Sequence, residues 1–280
     1  MRALDPEVVD AVWAAVEPLI PPPPRTHPLG CHRRRVPDRV CFEAMLVRLV
    51  TGCSWVVAER LCGGAVSDTT LRARRDEWIT AGVFDAVAEE ALAAYDRIVG
   101  LDLEHASIDG SQHKAPAGGD GTGPTCTDRG RRGWKWSLAT RHRGHPDRLD
   151  DRPCQPERLR PRGPTLDAVA ARGLLVEVGT LHMDRGYDFA FVRAECAKRG
   201  LHDVVIPPCR PRRPGKPKKL APLGLRWSIE RTNSWLSNFG QLRRNTDRTN
   251  RHRHAQLALA IALLLVAKLI DLRNRWSPIR

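Results

Sequence analysis

None of the eight cysteines is spaced Cys-x-x-Cys; positions 31, 41, 53, 62, 126, 154, 196 and 209 lie 9 to 64 residues apart. That spacing suits neither a zinc finger nor a disulfide framework, and reduced thiols in a cytoplasmic protein are the expectation. Long hydrophobic runs are missing too. The longest, Leu257–Ala267, has eleven residues, against the roughly 18–20 needed to span a bilayer. The N-terminus, MRALDPEVVD, carries two early acids and no apolar segment, so it does not read as a signal peptide. No Ser-His-Asp order stands out, and the glycine-rich loop Ala117–Gly123 lacks the Lys-Ser/Thr of a phosphate-binding P-loop.

Acids are scarce in one region only. From Arg210 to Arg280 there are 17 basic and three acidic residues, a net +14, while residues 1–209 carry 29 of each. The whole excess of the 280-residue chain therefore lies in its last quarter. A basic surface of that kind points to a polyanionic partner, with nucleic acid leading. With 41% apolar and 28% charged residues, the chain has enough of both for a folded core.

The N-terminal hundred residues read as all-helical. Asp5 and Pro6 suit an N-cap and a first helical position, and Val8, Val9, Val12, Trp13 and Val16 then share a face before Pro21–Pro24. A basic stretch, Arg25–Arg35, precedes a second helical pattern from Asp38 to Thr51-Gly52. Ser54 can cap Trp55–Cys62, Gly63-Gly64 breaks the chain, and Ser67 can cap Asp68 to about Thr80. Arg72, Arg74 and Arg75 fall in the early turns of that last helix. The pattern fits a helix-turn-helix and equally an ordinary hairpin with a solvated basic face. Phe84–Val99 adds one more amphipathic helix.

After Gly100 the period changes. Strands are expected at Leu103–Ile108, Trp134–Ala139, Val176–Met183 and Val204–Ile206, and helices at Thr165–Arg172 and Phe189–Arg199. A Pro/Lys/Arg linker at 207–219 leads to two final helices, about Leu225–Arg243 and Arg253–Arg273. The expected division is a helical DNA-binding unit, 1–100, and an α/β domain, 101–280.

Two of these strands end in an acid: HASIDGS at Asp109 and TLHMDRGY at Asp184. A third, Glu230 in RWSIERTNSW, is the only acid between Asp203 and Asp247. Glu230 either pairs with Arg226 or Arg231 on its own helix or serves as a third convergent carboxylate. Phosphodiester chemistry favours the second use. It needs neutralised transition-state charge and an ionised nucleophile, which two Mg²⁺ ions about 3.5–4 Å apart can supply. Mg²⁺ takes hard oxygen ligands and few protein carboxylates, so two or three suffice. His182 shares a strand face with Asp184, and this chemistry requires no imidazole of it.

HASIDGS, the segment Asp128–Lys135, MDRGYD at 183–188 and RWSIERTNSWL at 226–236 resemble insertion-sequence transposases of the DDE type. TGCSW at 51–55 and the helices after it resemble the N-terminal helical domain of the same group. The resemblance spans nearly the whole chain. It implies a ribonuclease-H-like mixed sheet with flanking helices and no large insertion before the final glutamate. It implies Asp109, Asp184 and Glu230 as catalytic metal ligands, with two Mg²⁺ (or Mn²⁺) ions as cofactor. Beside it, Arg226, Arg231, Arg243 and Arg244 are expected to clamp phosphates and Lys135 to contact DNA beside the site, with Arg72, Arg74 and Arg75 as the DNA-facing residues of the helix-turn-helix reading. In the family's Tyr-x₂-Arg-x₃-Glu-x₆-Lys signature, Arg226 and Glu230 match, Leu223 stands at the tyrosine position and Ser237 at the lysine position. The implied partners are double-stranded DNA, as terminal inverted repeats and target, and a second copy of the chain, all in the cytoplasm at the nucleoid. The rival readings are a sequence-specific DNA-binding regulator, a nuclease without strand transfer and an inactive remnant.

One stretch breaks the pattern. Residues 141–163 hold seven arginines and four prolines but only three apolar residues, Leu149, Cys154 and Leu159. They read as a frameshifted remnant or as a basic loop contacting DNA. The first reading would leave the strand around Trp134–Ala139 with an unsupported edge.

Overall fold

The computed structural model describes residues 3–23, 35–125, 128–141, 146–150, 163–171, 173–208 and 226–276. Most of the basic stretch 25–35, most of 141–163 and of the linker, and Leu223 lie outside them. The chain divides into two compact units, Met1–Gly100 with Leu236–Arg280, and Leu101–Trp235.

In the first unit the caps set the helices. Helix α1 (Pro6–Val16) starts at Asp5, whose carboxylate accepts from the Glu7 amide at 3.2 Å, and it buries Val8, Val9, Val12 and Val16. Helix α2 (Asp38–Thr51) stops at Gly52, whose φ of 74° few other residues adopt. Ser54 and Ser67 cap α3 (Trp55–Leu61) and α4 (Asp68–Thr80), each Oγ accepting from an amide three residues on. Helix α5 (Val83–Val99) completes the N-terminal set.

The C-terminal helices pack within this compact unit. The segment expected as one helix to Arg243 breaks after Leu236, and α9 (Gly240–Arg243) packs on α2. Helix α10 (Asn250–Trp276) runs along α5 and α1. By length and composition α10 is apolar enough to cross a membrane, but every residue from Ala255 to Leu263 is buried within the helical unit. It is a core helix.

The second unit is a mixed sheet. Its strands are β1 (His105–Lys114), β2 (Gly123–Pro124), β3 (Arg132–Arg141), β4 (Pro146–Asp150), β5 (Thr180–Met183) and β6 (Asp203–Val205). The main order is β4-β3-β1-β5-β6, with short β2 also paired to β3. Strands β4, β3 and β1 are antiparallel; β1, β5 and β6 are parallel. This is the ribonuclease-H-like arrangement. The expected bare edge is not there, because β4 covers part of β3 from within the anomalous stretch. Pro146 fits an edge strand at its first position, where no ladder donor is required.

Two strands differ from the sequence reading. Strand β1 runs five residues past Asp109, because β3 continues to pair with it as far as Lys114. Strand β5 begins only at Thr180, after a 3₁₀ turn over Leu174–Glu177. Helices α6 (Gly163–Ala170) and α7 (Ala190–Ala197) cover one face of the sheet. There Ile108, Ala139, Leu181 and Met183 meet Leu166, Val169, Val192 and Cys196. Helix α8 (Trp227–Leu236) covers the other face through Trp136, whose indole N–H donates to Asn233 Oδ1 at 2.8 Å. The four cysteines described, 41, 53, 62 and 196, are free thiols.

Candidate active site

Strand register brings the two aspartates together. Ile108 pairs with Met183 in the parallel ladder, so the next residue of each chain segment is an acid, Asp109 and Asp184. Side chains alternate along a strand, and Ile108 and Met183 point into the α6/α7 core. Asp109 therefore stands on the opposite face, the one α8 covers. Both acids make the same local contact: Asp109 Oδ1 accepts from the Gly110 amide and Asp184 Oδ1 from the Arg185 amide, each at 2.7 Å.

Glu230 is delivered by α8. That helix buries Ser228, Ile229, Thr232 and Asn233, small or polar residues that allow close packing on the sheet, and the Trp136–Asn233 hydrogen bond fixes it there. Glu230 faces outward from the same helix and meets Arg226, Nη2 to Oε1 3.0 Å. The same guanidinium reaches Asp184, Nη1 to Oδ1 3.2 Å. Arg226 is 12% exposed at the side chain, while each carboxylate is 43% exposed. Glu230 thus pairs with Arg226 as the helical spacing allowed, and through Arg226 it is joined to Asp184.

The donor set is right for a hard divalent cation, three carboxylates of which two already share one positive charge. As they stand, no three His, Cys, Asp or Glu side chains among the described residues are grouped closely enough to hold a metal ion. Arg226 occupies the position between Asp184 and Glu230 where such an ion would compete.

The remaining sequence candidates separate into two kinds. Arg231 lies over the rings of Trp227 and Trp235, 4.0 and 4.6 Å from their centroids, so its guanidinium is held on the outer side of α8. Arg243 and Arg244 are exposed, in the first unit. Arg72 is half exposed and pairs with Asp68 at 2.7 Å. Arg74 and Arg75 are buried and spent on internal partners, Asp38 and the Val36 carbonyl for Arg74, Asp76 and Asp247 for Arg75. That corrects the expectation of a three-arginine DNA face on α4. Lys135 is opposite Gln112 on β1, and strand alternation puts both on the face away from Asp109. It does not stand beside the acids.

One feature escaped the sequence reading. His113 shares the Asp109 face, stacks on Trp136 at 3.7 Å between centroids and exchanges a 2.7 Å hydrogen bond with Ser111 Oγ. Burial lowers its pKa to about 3, so the imidazole is neutral. The spacing Ser111-x-His113 opposite Trp134-x-Trp136 carries the signal, an inward alternation on two paired strands. His182, expected on the strand face of Asp184, meets His105 Nδ1 at 3.3 Å on the acids' side of the sheet.

The fold and the paired strand acids are those expected of a ribonuclease-H-like domain, and comparison with known families defines the class. Residues 100–265 match the family model described as transposase DDE domain, and residues 8–88 match one for transposases of the IS4/5 family. A curated relative, the insertion element IS402 uncharacterized 16.2 kDa protein of Burkholderia cepacia, is 34% identical over 122 residues, 43% of this chain and 81% of that protein. The chain belongs to the DDE-domain transposases, a family of DNA-cleaving and DNA-transferring enzymes.

Proposed function

We propose that this chain binds the terminal inverted repeats of its own insertion element, cuts the phosphodiester there by water attack and joins the freed 3′-OH to target DNA. One observation carries the reading: the Ile108–Met183 register that sets Asp109 beside Asp184, with Glu230 on a helix docked to the same face. Both reactions are in-line displacements at phosphorus, so one site serves both. Asp109, Asp184 and Glu230 would hold two Mg²⁺ or Mn²⁺ ions, which supply Lewis-acid charge to the attacking and leaving oxygens. Arg226, Arg231, Arg243 and Arg244 contact phosphates, and the C-terminal basic excess steers DNA to the protein. Pairing two element ends calls for at least a dimer in the active complex, working in the cytoplasm at the nucleoid.

The test is nicking and strand transfer on an end-labelled duplex carrying the element end, with Mg²⁺. Asp184→Asn should abolish both reactions and leave DNA binding near the wild-type level, because it removes a metal ligand and no basic contact. Normal nicking by that variant would overturn the assignment. Nicking without joining by the unaltered chain would make it a nuclease.

A further inference from the structure

Arg226 stands where a charge is needed. Asp184 comes from the end of β5 and Glu230 from α8, so a single guanidinium links the strand to the helix. Two carboxylates bring −2 and Arg226 returns +1, which is half the charge of one divalent ion. The pairing is not complete for the arginine either. Among the described residues its buried Nε meets no hydrogen-bond partner, which leaves an N–H donor without its usual compensation there. A guanidinium satisfies Nε and one Nη together when it meets a planar or phosphate acceptor side-on.

Resting on the metal-dependent reading above, we propose that Arg226 is a cation surrogate that keeps the site closed to metal until DNA arrives. In the free protein it neutralises Asp184 and Glu230 and resists entry of a second cation between them. A DNA phosphate offers the same guanidinium a better acceptor, one that also engages Nε. Moving Arg226 to that phosphate frees both carboxylates. Metal loading and DNA binding are then coupled through one side chain, and coupling is reciprocal: DNA tightens metal binding by the factor by which metal tightens DNA binding. The protein would not hold a loaded, cutting site away from DNA.

The test is Mn²⁺ binding to the full chain, followed by the loss of the free-ion paramagnetic resonance signal, with and without duplex DNA. Without DNA, Arg226→Gln should bind Mn²⁺ about fivefold or more tightly than the unaltered protein, and duplex DNA should tighten the unaltered protein by a similar factor. For Arg226→Gln, DNA should change Mn²⁺ affinity by less than about twofold. Arg226→Lys, whose point charge engages one carboxylate at a time, should fall between the two and guards against a folding defect in the glutamine variant. If Arg226→Gln binds Mn²⁺ no more tightly than the unaltered chain, or if DNA tightens both proteins equally, the surrogate role is wrong. Asp184→Asn separates the two ideas. Unchanged Mn²⁺ binding in that variant would sink the metal site itself, whereas abolished binding without any gain in Arg226→Gln would sink only the coupling.

Discussion

Arg48 and Asp247 lie 199 residues apart in the chain and meet as a buried pair, Nη2 to Oδ1 3.1 Å, with each side chain under one-tenth exposed. Arg75 reaches the same carboxylate at 3.5 Å, Gln256 donates to its other oxygen, and Arg253 donates to the Asp247 backbone carbonyl at 2.6 Å. Both Arg48 and Arg75 also lie over the Trp55 ring. One acid thus compensates two cations, joining helices α2 and α4 to the segment between α9 and α10. Burial pulls the Arg48 pKa down while Asp247 opposes it. Asp247→Asn keeps the shape and removes the charge, leaving two desolvated guanidiniums. The expected loss is about 3–5 kcal/mol of unfolding free energy. Denaturant unfolding checks it, and a loss below about 1 kcal/mol would show that solvent reaches the network.

Gly52 and Gly240 make the other contact that ties the C-terminal segment to α2. A Cβ on Gly240 would lie 2.5 Å from both the carbonyl carbon and oxygen of Thr51, and one on Gly52 would lie 2.8 Å from the Gly240 carbonyl carbon. Neither clash can be relieved by a side-chain rotation, because both partners are backbone. Gly240→Ala should cost about 1–3 kcal/mol through overpacking alone. Gly52→Ala adds a strained φ of 74° and should cost more. Gly64→Ala, at φ 69° with nothing within 4 Å, carries the strain without the clash. Equal melting temperatures for the Gly52 and Gly64 variants would refute the close approach.

Local chemistry was legible in the sequence and long-range pairing was not. Ser54, Ser67, Asp5 and Gly52 marked helix ends correctly because a cap acts within three or four residues. The two strand acids were visible for the same reason, as the ends of short apolar runs. The fate of Arg74 and Arg75 was not visible. Their position on α4 reads as an exposed basic face, and only Asp38 and Asp247, 36 and 172 residues away, turn them inward. The packing partner of α10 was not visible either, since its apolar run says that it is buried and does not say against what. Arg226 was recognisable as a partner of Glu230 at helical spacing. Its bond to Asp184 depends on where α8 lies, and that is set by Trp136 and Asn233, 97 residues apart.

His113 makes the second unit acid-sensitive. Its folded pKa of about 3 lies below the ordinary value of 6.5, so between those limits the unfolded chain binds a proton that the folded chain does not. Stability from this group is therefore complete above about pH 6.5 and falls as pH drops toward 3, by about 1.4 kcal/mol per pH unit in the steep part. His113→Gln removes the titration and keeps a hydrogen-bonding side chain near Ser111. Carboxylates contribute equally to both proteins and cancel in the difference. Unfolding free energies measured from pH 4 to 6 should rise more steeply in the unaltered chain, and parallel curves would mean that His113 is solvated.

The arginines should divide by salt dependence and stability. Removing one phosphate interaction reduces the slope of log affinity against log salt by about 0.9. Arg243 and Arg244 are exposed, so Arg243→Gln with Arg244→Gln should lower the slope by nearly two while leaving the melting temperature unchanged. Arg72→Gln forfeits a surface pair with Asp68 worth about 0.2–1 kcal/mol, and any effect it has on the slope marks α4 as touching DNA. Arg74→Gln and Arg75→Gln should do the reverse. Each removes a buried guanidinium from its internal carboxylate, Asp38 for one and Asp247 for the other, and so lowers the melting temperature. Measured well below that temperature, their salt slopes should match the unaltered protein. A reduced slope with normal stability for Arg75→Gln would mean that the helical unit rearranges on DNA to release a guanidinium that the free fold keeps inside.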